Sequence, residues 1–329
     1  MRRLLVPTSK QYLTLPVIVV AIVAAILAIV QIVPEKPLLL AERLFHYGGW
    51  VQITIISAYA GFLAYNMQFS QRRGNWRIYS WLLFTIFFYS QLILGITADS
   101  LFLLTGKLHL PIPAIIIAGP LYRFSSWFMI ILFLSTVIMT GPAWCSHLCY
   151  FGAIEAAVVK DKRRSGTPEK GVRIIMLGGV VAVALLLRIL NAKDETAILL
   201  ASLFILTALL LIFFVSRVKG NMYHCTHFCP VGILVSNIKY ISPFRFRING
   251  NCTKCNSCIS SCRYFALDKE GIAVGKIYKS CTYCGDCIKS CKHNAFEYRF
   301  LNLSPVQAEK LWLIITVSVH AIFLSIARI

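Results

Sequence analysis

The sequence predicts a mainly α-helical, polytopic membrane protein that carries a small, cysteine-rich α+β module near its C-terminus. Apolar residues make up 58% of the 329 residues, and only 14% are charged, against about 25% in soluble domains. The apolar residues are gathered into long runs, and most of the twelve cysteines follow the sixth of these runs. A chain of this composition cannot cover itself with polar groups in water, so we expect it to lie in a lipid bilayer.

Six apolar runs have about the length that crosses the hydrocarbon core of a bilayer. The first is longer than the core of a signal peptide and lacks a small-residue cleavage site, so it is interpreted as a retained helix. A shorter stretch, Leu110–Ala118, contains two prolines and predicts a re-entrant or interfacial segment. The six runs are Leu13–Val33, Gly49–Met67, Tyr79–Ile96, Ser125–Thr140, Ile174–Ala192 and Ala197–Ser216.

Basic residues are concentrated in alternate loops between these runs, and they give the chain a formal charge of +20. The positive-inside rule therefore predicts an inner (cytoplasmic) membrane protein whose N-terminus lies in the cytoplasm. No long basic stripe or nucleic-acid-binding motif is present, so we expect membrane lipid and no nucleic acid as a partner. The residues that set this orientation are Arg2, Arg3, Lys10, Arg72, Arg73, Arg77, Lys160, Lys162, Arg163, Arg164, Lys170 and Arg173.

The runs divide the chain into four predicted parts. Residues 1–216 form a six-helix transmembrane domain, 217–248 a cytoplasmic connector, 249–300 the cysteine-rich module, and 301–329 a C-terminal helix. The sequence Ser304-Pro305-Val306-Gln307 is typical of a helix start, with Ser as N-cap and Gln three residues later. Leu311–Ala327 then predicts a seventh crossing, with a helix lying on the membrane surface as the alternative.

The module contains one cysteine pattern twice, with spacing C-x2-C-x2-C-x3-C. The first copy is Cys252, Cys255, Cys258 and Cys262, and the second is Cys281, Cys284, Cys287 and Cys291. Closely spaced thiolates of this kind bind iron–sulfur clusters. Structural zinc is the alternative, but zinc needs only four ligands per site and does not require this duplicated pattern.

Over Asn249–Tyr298 the chain resembles bacterial two-cluster ferredoxins, in which the fourth cysteine of each run ligates the other cluster. The resemblance implies two [4Fe-4S] clusters. One would be held by Cys252, Cys255, Cys258 and Cys291, and the other by Cys281, Cys284, Cys287 and Cys262. The proline that usually follows the fourth cysteine is replaced by Arg263 and Lys292. Because these cations would stabilise the reduced clusters, we expect potentials above those of low-potential ferredoxins.

A second motif, C-x3-C, is also repeated, and each copy follows a predicted membrane helix at its cytoplasmic end. Cys145 and Cys149 form the first pair, and Cys225 and Cys229 the second. Within one helical turn, this spacing puts both thiols on one face. Folded about a pseudo-two-fold axis, the pairs could jointly bind a third metal centre, with an iron–sulfur cluster favoured and its type left open. A redox-active dithiol pair, or a zinc or copper site that includes His147 and His227, is the alternative. These two histidines are otherwise expected beside the ligands rather than among them.

Together, these motifs resemble the NapH/NosR-type family of membrane-bound ferredoxin proteins. The resemblance departs at Tyr150, which stands where the family has proline, and at the seventh helix. It implies an electron-transfer subunit of an oxidoreductase complex, working between cytoplasmic redox partner subunits and a membrane quinone or membrane partner. The alternative function is a redox protein for the maturation or regulation of another metalloenzyme. Transport is disfavoured because acidic and basic residues are scarce within the runs.

Overall fold

The computed structural model describes residues 9–103, 112–125, 127–159 and 170–326, and helices dominate these segments. The basic residues in 1–8 and 160–169, together with residues 110–111 and Ala327, lie outside the described residues. The helices are α1 (Ser9–Ile32), α2 (Leu40–Leu44), α3 (Gly48–Met67), α4 (Ser70–Thr97), α5 (Ile115–Arg123), α6 (Phe128–Thr140), α7 (Trp144–His147), α8 (Tyr150–Val158), α9 (Lys170–Ile189), α10 (Asp194–Leu210), α11 (Arg217–Lys219), α12 (Pro230–Ile238), α13 (Lys269–Ala273), α14 (Asp286–Ser290) and α15 (Pro305–Ile326).

Six helical segments within the described residues are long and apolar enough to cross a membrane. This confirms the mainly helical, polytopic class, and the C-terminal helix is one of the six. The predicted second crossing forms α3, a 20-residue helix that is not among them. Polar side chains such as Gln52 and Asn66 lower its hydropathy, although it packs along α1 and α15. The six segments are Tyr12–Ile32, Ser70–Thr97, Phe128–Val158, Gly171–Ile189, Asp194–Lys219 and Pro305–Ile326.

The basic cluster before the third predicted crossing is helical, which corrects its interpretation as a loop. Helix α4 begins at Ser70, so Arg72, Arg73 and Arg77 lie in its first two turns. Arg73 and Arg77 are buried, and each pairs with a carboxylate from a distant part of the chain. Each ion pair compensates for the hydration that the buried guanidinium loses.

Helix α15 begins as predicted, with a reciprocal cap between Ser304 and Gln307. The Ser304 hydroxyl donates to Gln307 Oε1 at 2.7 Å, and the Gln307 N–H donates to Ser304 Oγ at 3.4 Å. The helix packs on α1, α3 and the cysteine-rich module. One apolar core therefore extends from Leu27 and Leu63 through Trp312 to Tyr298 of the module.

The cysteine-rich module is closed by a two-stranded antiparallel sheet. Strand β1 (Phe244–Ile248) pairs with β2 (Phe296–Phe300), with Phe246 opposite Tyr298. Phe244, Phe246 and Tyr298 point to the buried side, as the alternation of a half-buried strand requires. Strand β1 lies within the segment expected as a connector, so the cysteine loops are held between two paired strands.

Candidate metal centres

Four cysteine thiols of the module line one small cavity. Cys281, Cys284 and Cys287 come from the second run, and Cys262 comes from the first. Burial and the neighbouring thiols of Cys284, Cys281 and Cys262 raise the pKa of Cys287. The remaining wall is mainly apolar, and it includes Phe246, Leu267 and Ile277. The donor set and its dry surroundings fit a cluster held by four thiolates.

The other four cysteines of the module gather closer to the solvent. Burial, together with the thiols of Cys291, Cys252 and Cys255, raises the pKa of Cys258 to about 11. Cys255 is exposed, whereas Cys258 is buried. Each of the two groups thus contains the fourth cysteine of the opposite run.

The two cysteine loops share an unusual backbone conformation. Lys254 and Asn256 on either side of Cys255, and Tyr283 and Gly285 on either side of Cys284, all have positive φ, between 58° and 78°. A bulky residue with positive φ is strained, and such residues concentrate at functional sites. Left-handed residues between right-handed ones form concave loops whose N–H groups suit an anion.

Each fourth cysteine accepts a main-chain hydrogen bond at the same place in its run. The N–H of Ala266 lies 3.3 Å from Cys262 Sγ, and that of Ala295 lies 3.3 Å from Cys291 Sγ. Donors of this kind stabilise the charge on sulfur. The two cysteine runs therefore repeat in backbone geometry as well as in sequence.

The two C-x3-C motifs do not lie within single helical turns, which corrects the expected local structure. Cys145 belongs to α7, while Cys149 is the extended residue that precedes α8. Cys225 lies in a π-helical turn over His224–Phe228, and Cys229 is the extended residue that precedes α12. The second thiol of each pair therefore sits at the N-terminus of a new helix, where free N–H groups are available.

That position places the sulfur of Cys229 near two main-chain N–H groups. The N–H groups of Gly232 and Val231 lower the pKa of Cys229, although burial has the larger effect and raises it. The N–H groups of Gly152 and Phe151 lie near the Cys149 sulfur in the same arrangement. In both motifs, the second cysteine is thus the extended residue before a new helix, and N–H groups of that helix lie near its sulfur.

The thiols of the two C-x3-C pairs lie together. Burial is the main cause of the raised pKa of Cys225, followed by the nearby Glu155 and the thiols of Cys149 and Cys229. Cys145 likewise interacts with Cys149 and Cys229. The fold thus brings together the sulfurs of the two repeated motifs. The group of Cys145, Cys149, Cys225 and Cys229 is called the membrane-face site below.

A glycine three residues after the second cysteine is required in both motifs. A Cβ at Gly152 would lie 2.9 Å from the carbonyl oxygen of Cys145 and 2.5 Å from the Trp81 ring. A Cβ at Gly232 would lie 2.8 Å from the carbonyl oxygen of Cys225. In each repeat, the glycine allows the new helix to pack directly against the first cysteine.

Glu155 is a site residue that the sequence analysis missed. It is fully buried on α8, six residues after Cys149. Its carboxylate accepts the N–H groups of His224 and Cys225 at 2.7 and 3.1 Å and the Ser216 hydroxyl at 2.5 Å. Oxygen, nitrogen and sulfur atoms of Glu155, His224 and Cys225 lie within 4.8 Å of one another, the spacing of a metal site. Main-chain donors already engage both carboxylate oxygens, so Glu155 links helix α8, which follows the first motif, to the start of the second motif.

The predicted neighbouring histidines occupy equivalent places. His147 Nδ1 lies 3.0 Å from the Ser146 hydroxyl, and His227 Nδ1 lies 2.9 Å from the Thr226 hydroxyl. His147 packs edge-on against Trp312, and His227 stacks on Tyr223 with ring centroids 4.2 Å apart. Both rings thus pack against aromatic residues while one nitrogen faces a hydroxyl.

The two cations that follow the cysteine runs are placed differently. Arg263 donates from Nη1 to the carbonyl oxygen of Ala156 at 3.2 Å, so it ties the module to α8. Lys292 is exposed. Solvent screens the charge of Lys292, so any effect of that side chain on a nearby centre is small.

A buried ion pair joins α4 to the module next to Cys284 and Cys287. Arg77 Nη2 donates to both carboxylate oxygens of Asp286, at 3.1 and 2.8 Å, and Nη1 donates to the carbonyl oxygen of Ser146 at 3.1 Å. Asp286 lies between Cys284 and Cys287, and Ser146 follows Cys145. One guanidinium thus contacts both cysteine-bearing regions.

A small cavity lies between the membrane-face site and the module, and it is called the inter-site cavity below. Cys145 and Cys225 line one part of it and Cys281 another. Two hydroxyl groups and one guanidinium in its wall, Tyr264 Oη, Thr282 Oγ1 and Arg173 Nε, are buried without a hydrogen-bond partner among the described residues. Unpartnered buried donors are rare, and they indicate that something polar belongs beside them.

Comparison with known protein families finds one match within the chain. A family model described as a 4Fe-4S binding domain matches residues 122–168 and 200–249. Each matched segment contains one C-x3-C pair, and the second segment ends before Cys252. The chain therefore combines membrane-type helices with a 4Fe-4S binding domain. No curated protein and no solved structure matches the chain.

Proposed function

We propose that this chain is an integral-membrane electron-transfer protein that connects redox partners on the cytoplasmic side with a membrane quinone or a membrane partner subunit. Clusters of the iron–sulfur type exchange single electrons when bound, and they need no proton transfer to do so. The observation that carries the proposal is the common cavity bordered by Cys145 and Cys225 on one side and by Cys281 on the other.

Cofactor binding is proposed at three places. Cys252, Cys255, Cys258 and Cys291 would hold one [4Fe-4S] cluster, and Cys262, Cys281, Cys284 and Cys287 a second. The grouping of thiols across the two runs and the equivalent N–H donors to Cys262 and Cys291 support this assignment. The membrane-face site would hold a third iron–sulfur centre, because the matched 4Fe-4S segments contain its four cysteines.

The differing exposure of the cysteine loops supports a spatial order for the three proposed sites, from the solvent to the membrane domain. The loop around Cys255 is open to solvent, so a soluble partner can approach it. Cys262, Cys284 and Cys287 are more enclosed, and the membrane-face site lies on the helices themselves. The three proposed sites would thus form a series from the solvent to the membrane domain.

Helix ends and charge support the proposed membrane placement. The module follows α10 and α11 at the end that carries Arg217 and Lys219, and cytoplasmic ends of membrane helices are rich in such residues. We therefore infer an inner-membrane protein with its N-terminus and cysteine-rich module in the cytoplasm. Helix α15 would then return the chain to the outer side.

The proposal is tested on the full-length chain purified in detergent. Iron and acid-labile sulfide are measured, and EPR spectra are recorded during stepwise reduction with dithionite. We expect acid-labile sulfide in amounts that match iron, and signals that appear in one-electron steps. Iron without acid-labile sulfide, or zinc in place of iron, would contradict an electron-transfer function.

A further inference from the structure

The starting point is Arg173, a buried arginine in the wall of the inter-site cavity. Only 6% of Arg173 is exposed. Its Nη2 donates to the Ser236 hydroxyl at 2.9 Å, and its Nε has no hydrogen-bond partner among the described residues. Its charge interacts most strongly with Cys229, Cys145 and Cys225, three of the four thiols of the membrane-face site.

A buried guanidinium needs a compensating negative charge, because removing an ion from water costs several kcal/mol. Within the described residues, no carboxylate forms an ion pair with Arg173. The Glu155 carboxylate is engaged by the main-chain N–H groups of His224 and Cys225. Among the described residues, the thiols are therefore the groups that can supply this negative charge, once a bound metal centre has deprotonated them.

We propose that Arg173 is the counter-cation of an anionic iron–sulfur centre at the membrane-face site, and that the hydroxyls of Tyr264 and Thr282 are further donors toward sulfur in the inter-site cavity. This inference rests on the proposed function, because it requires a centre at that site. An oxidised [2Fe-2S] or [4Fe-4S] core with four thiolates carries a net negative charge, so either type provides the compensation that the described residues do not give Arg173.

A second cation strengthens the argument. Lys239 is 4% exposed, and its ammonium donates to the carbonyl oxygens of Lys279 and Cys281 at 2.7 and 3.2 Å. It interacts with the thiols of both Cys281 and Cys145. Arg173 and Lys239 are thus two buried cations near the membrane-face site and Cys281 of the module. Two anionic centres at these places would repel each other without them.

The charge of Arg173 predicts an effect on redox potential. Reduction adds one negative charge to a centre, and a nearby cation in a low-dielectric site stabilises that reduced form. Arg173→Gln should therefore make the membrane-face centre harder to reduce, whereas Arg173→Lys should retain most of the effect. The exposed cluster near Cys255 should be unaffected, because Cys255 does not line the inter-site cavity into which Arg173 faces.

The experiment is an EPR-monitored redox titration of the full-length protein, its Arg173→Gln and Arg173→Lys variants, and an Arg188→Gln control. Arg188 is exposed at the opposite end of α9 and contacts Tyr122 and Phe124. For Arg173→Gln, we expect at least a tenfold lower ratio of reduced to oxidised membrane-face centre at a fixed potential, which equals about 59 mV for one electron. Arg188→Gln should leave the titration unchanged.

An assembled centre whose titration is the same in Arg173→Gln and the wild type would overturn the inference while leaving the proposed function intact. If Arg173→Gln cannot assemble the centre, iron content decides. Loading that is restored in Arg173→Lys supports a charge role, whereas equal loss in both variants overturns it. A wild-type protein without iron at the membrane-face site would instead reject the proposed function itself.

Discussion

Arg77 joins helix α4 to the module through its ion pair with Asp286. Arg77→Met would leave the largely buried Asp286 carboxylate without its partner beside Cys284 and Cys287. Breaking a buried pair from one side costs about 3–5 kcal/mol. We expect a clearly lower unfolding temperature together with loss of iron from the site formed by Cys262, Cys281, Cys284 and Cys287.

The matched control for Arg77 is Arg72, which is exposed on the same helix and stacks on Phe69. Arg72→Met should change the unfolding temperature little, since exposed charges contribute at most about 1 kcal/mol. The double variant Arg77→Met/Asp286→Leu should recover part of the loss, because it removes both charges. If Arg72→Met were as damaging as Arg77→Met, the ion pair would not explain the effect.

Cys262 tests the crossed grouping of the module cysteines. Its thiol lies with Cys281, Cys284 and Cys287 rather than with the run to which it belongs. Cys262→Ser should therefore alter the EPR signal of the enclosed cluster, whereas Cys258→Ser should alter that of the exposed one. The two signals are told apart by their accessibility to a water-soluble paramagnetic relaxing agent. Loss of only the exposed signal in Cys262→Ser would show that the crossed grouping is wrong.

The helices that follow the C-x3-C motifs are positioned by one glycine each. Gly152→Ala and Gly232→Ala would force a Cβ to within 2.9 Å of the carbonyl oxygen of the first cysteine in the same motif, Cys145 or Cys225. Overpacking of this kind costs about 1–3 kcal/mol. We expect both variants to lower the unfolding temperature and the iron content.

Gly178→Ala is the matched control for these two substitutions. Gly178 lies on α9 with no atom within 4 Å of an added Cβ. The substitution should leave the iron content unchanged and favour the helix by up to about 1 kcal/mol. Similar iron loss in all three variants would show that the close approach at Gly152 and Gly232 has no special role.

The sequence was sufficient for the elements that have strong local signals. The start of α15 followed from Ser304 and Gln307, because a capping box is encoded within four residues. The apolar runs predict the long helices. Helix α3 is less apolar than the six segments that are apolar enough to cross a membrane, because its composition is mixed. The repeat at Cys145 and Cys225 also indicated the membrane-face site, because equivalent positions in a repeat are brought together by its symmetry.

Features that depend on distant partners could not be predicted in this way. Arg77 was expected in a loop because its carboxylate partner lies 209 residues further along the chain. Glu155 has no counterpart in the second repeat, where Val235 stands at the equivalent position. The chain is extended at Cys149, where a new helix begins. A C-x3-C spacing does not predict this break, because it is equally compatible with one continuous helix.

The orientation of the whole chain is a separate prediction. A reporter fused within Asn249–Tyr298 should be cytoplasmic, and one inserted in Lys193–Thr196 or fused after Ile329 should be external. Helix α3 spans about 30 Å at 1.5 Å per residue, so seven crossings are expected. Reporter activity measured in intact cells checks each position. The reverse pattern would place the cysteine-rich module on the outer face and would contradict the proposed cytoplasmic partners.

The central claim is that four cysteines from the two C-x3-C motifs bind an iron–sulfur centre beside a two-cluster module. It is tested most directly by comparing the iron content of the fully loaded protein with that of a variant in which Cys145, Cys149, Cys225 and Cys229 are all Ser. We expect the wild type to hold more than the about eight iron atoms of two [4Fe-4S] clusters, and the variant to fall to about eight and lose one EPR signal. An iron content near eight in both proteins, with identical spectra, would contradict the account.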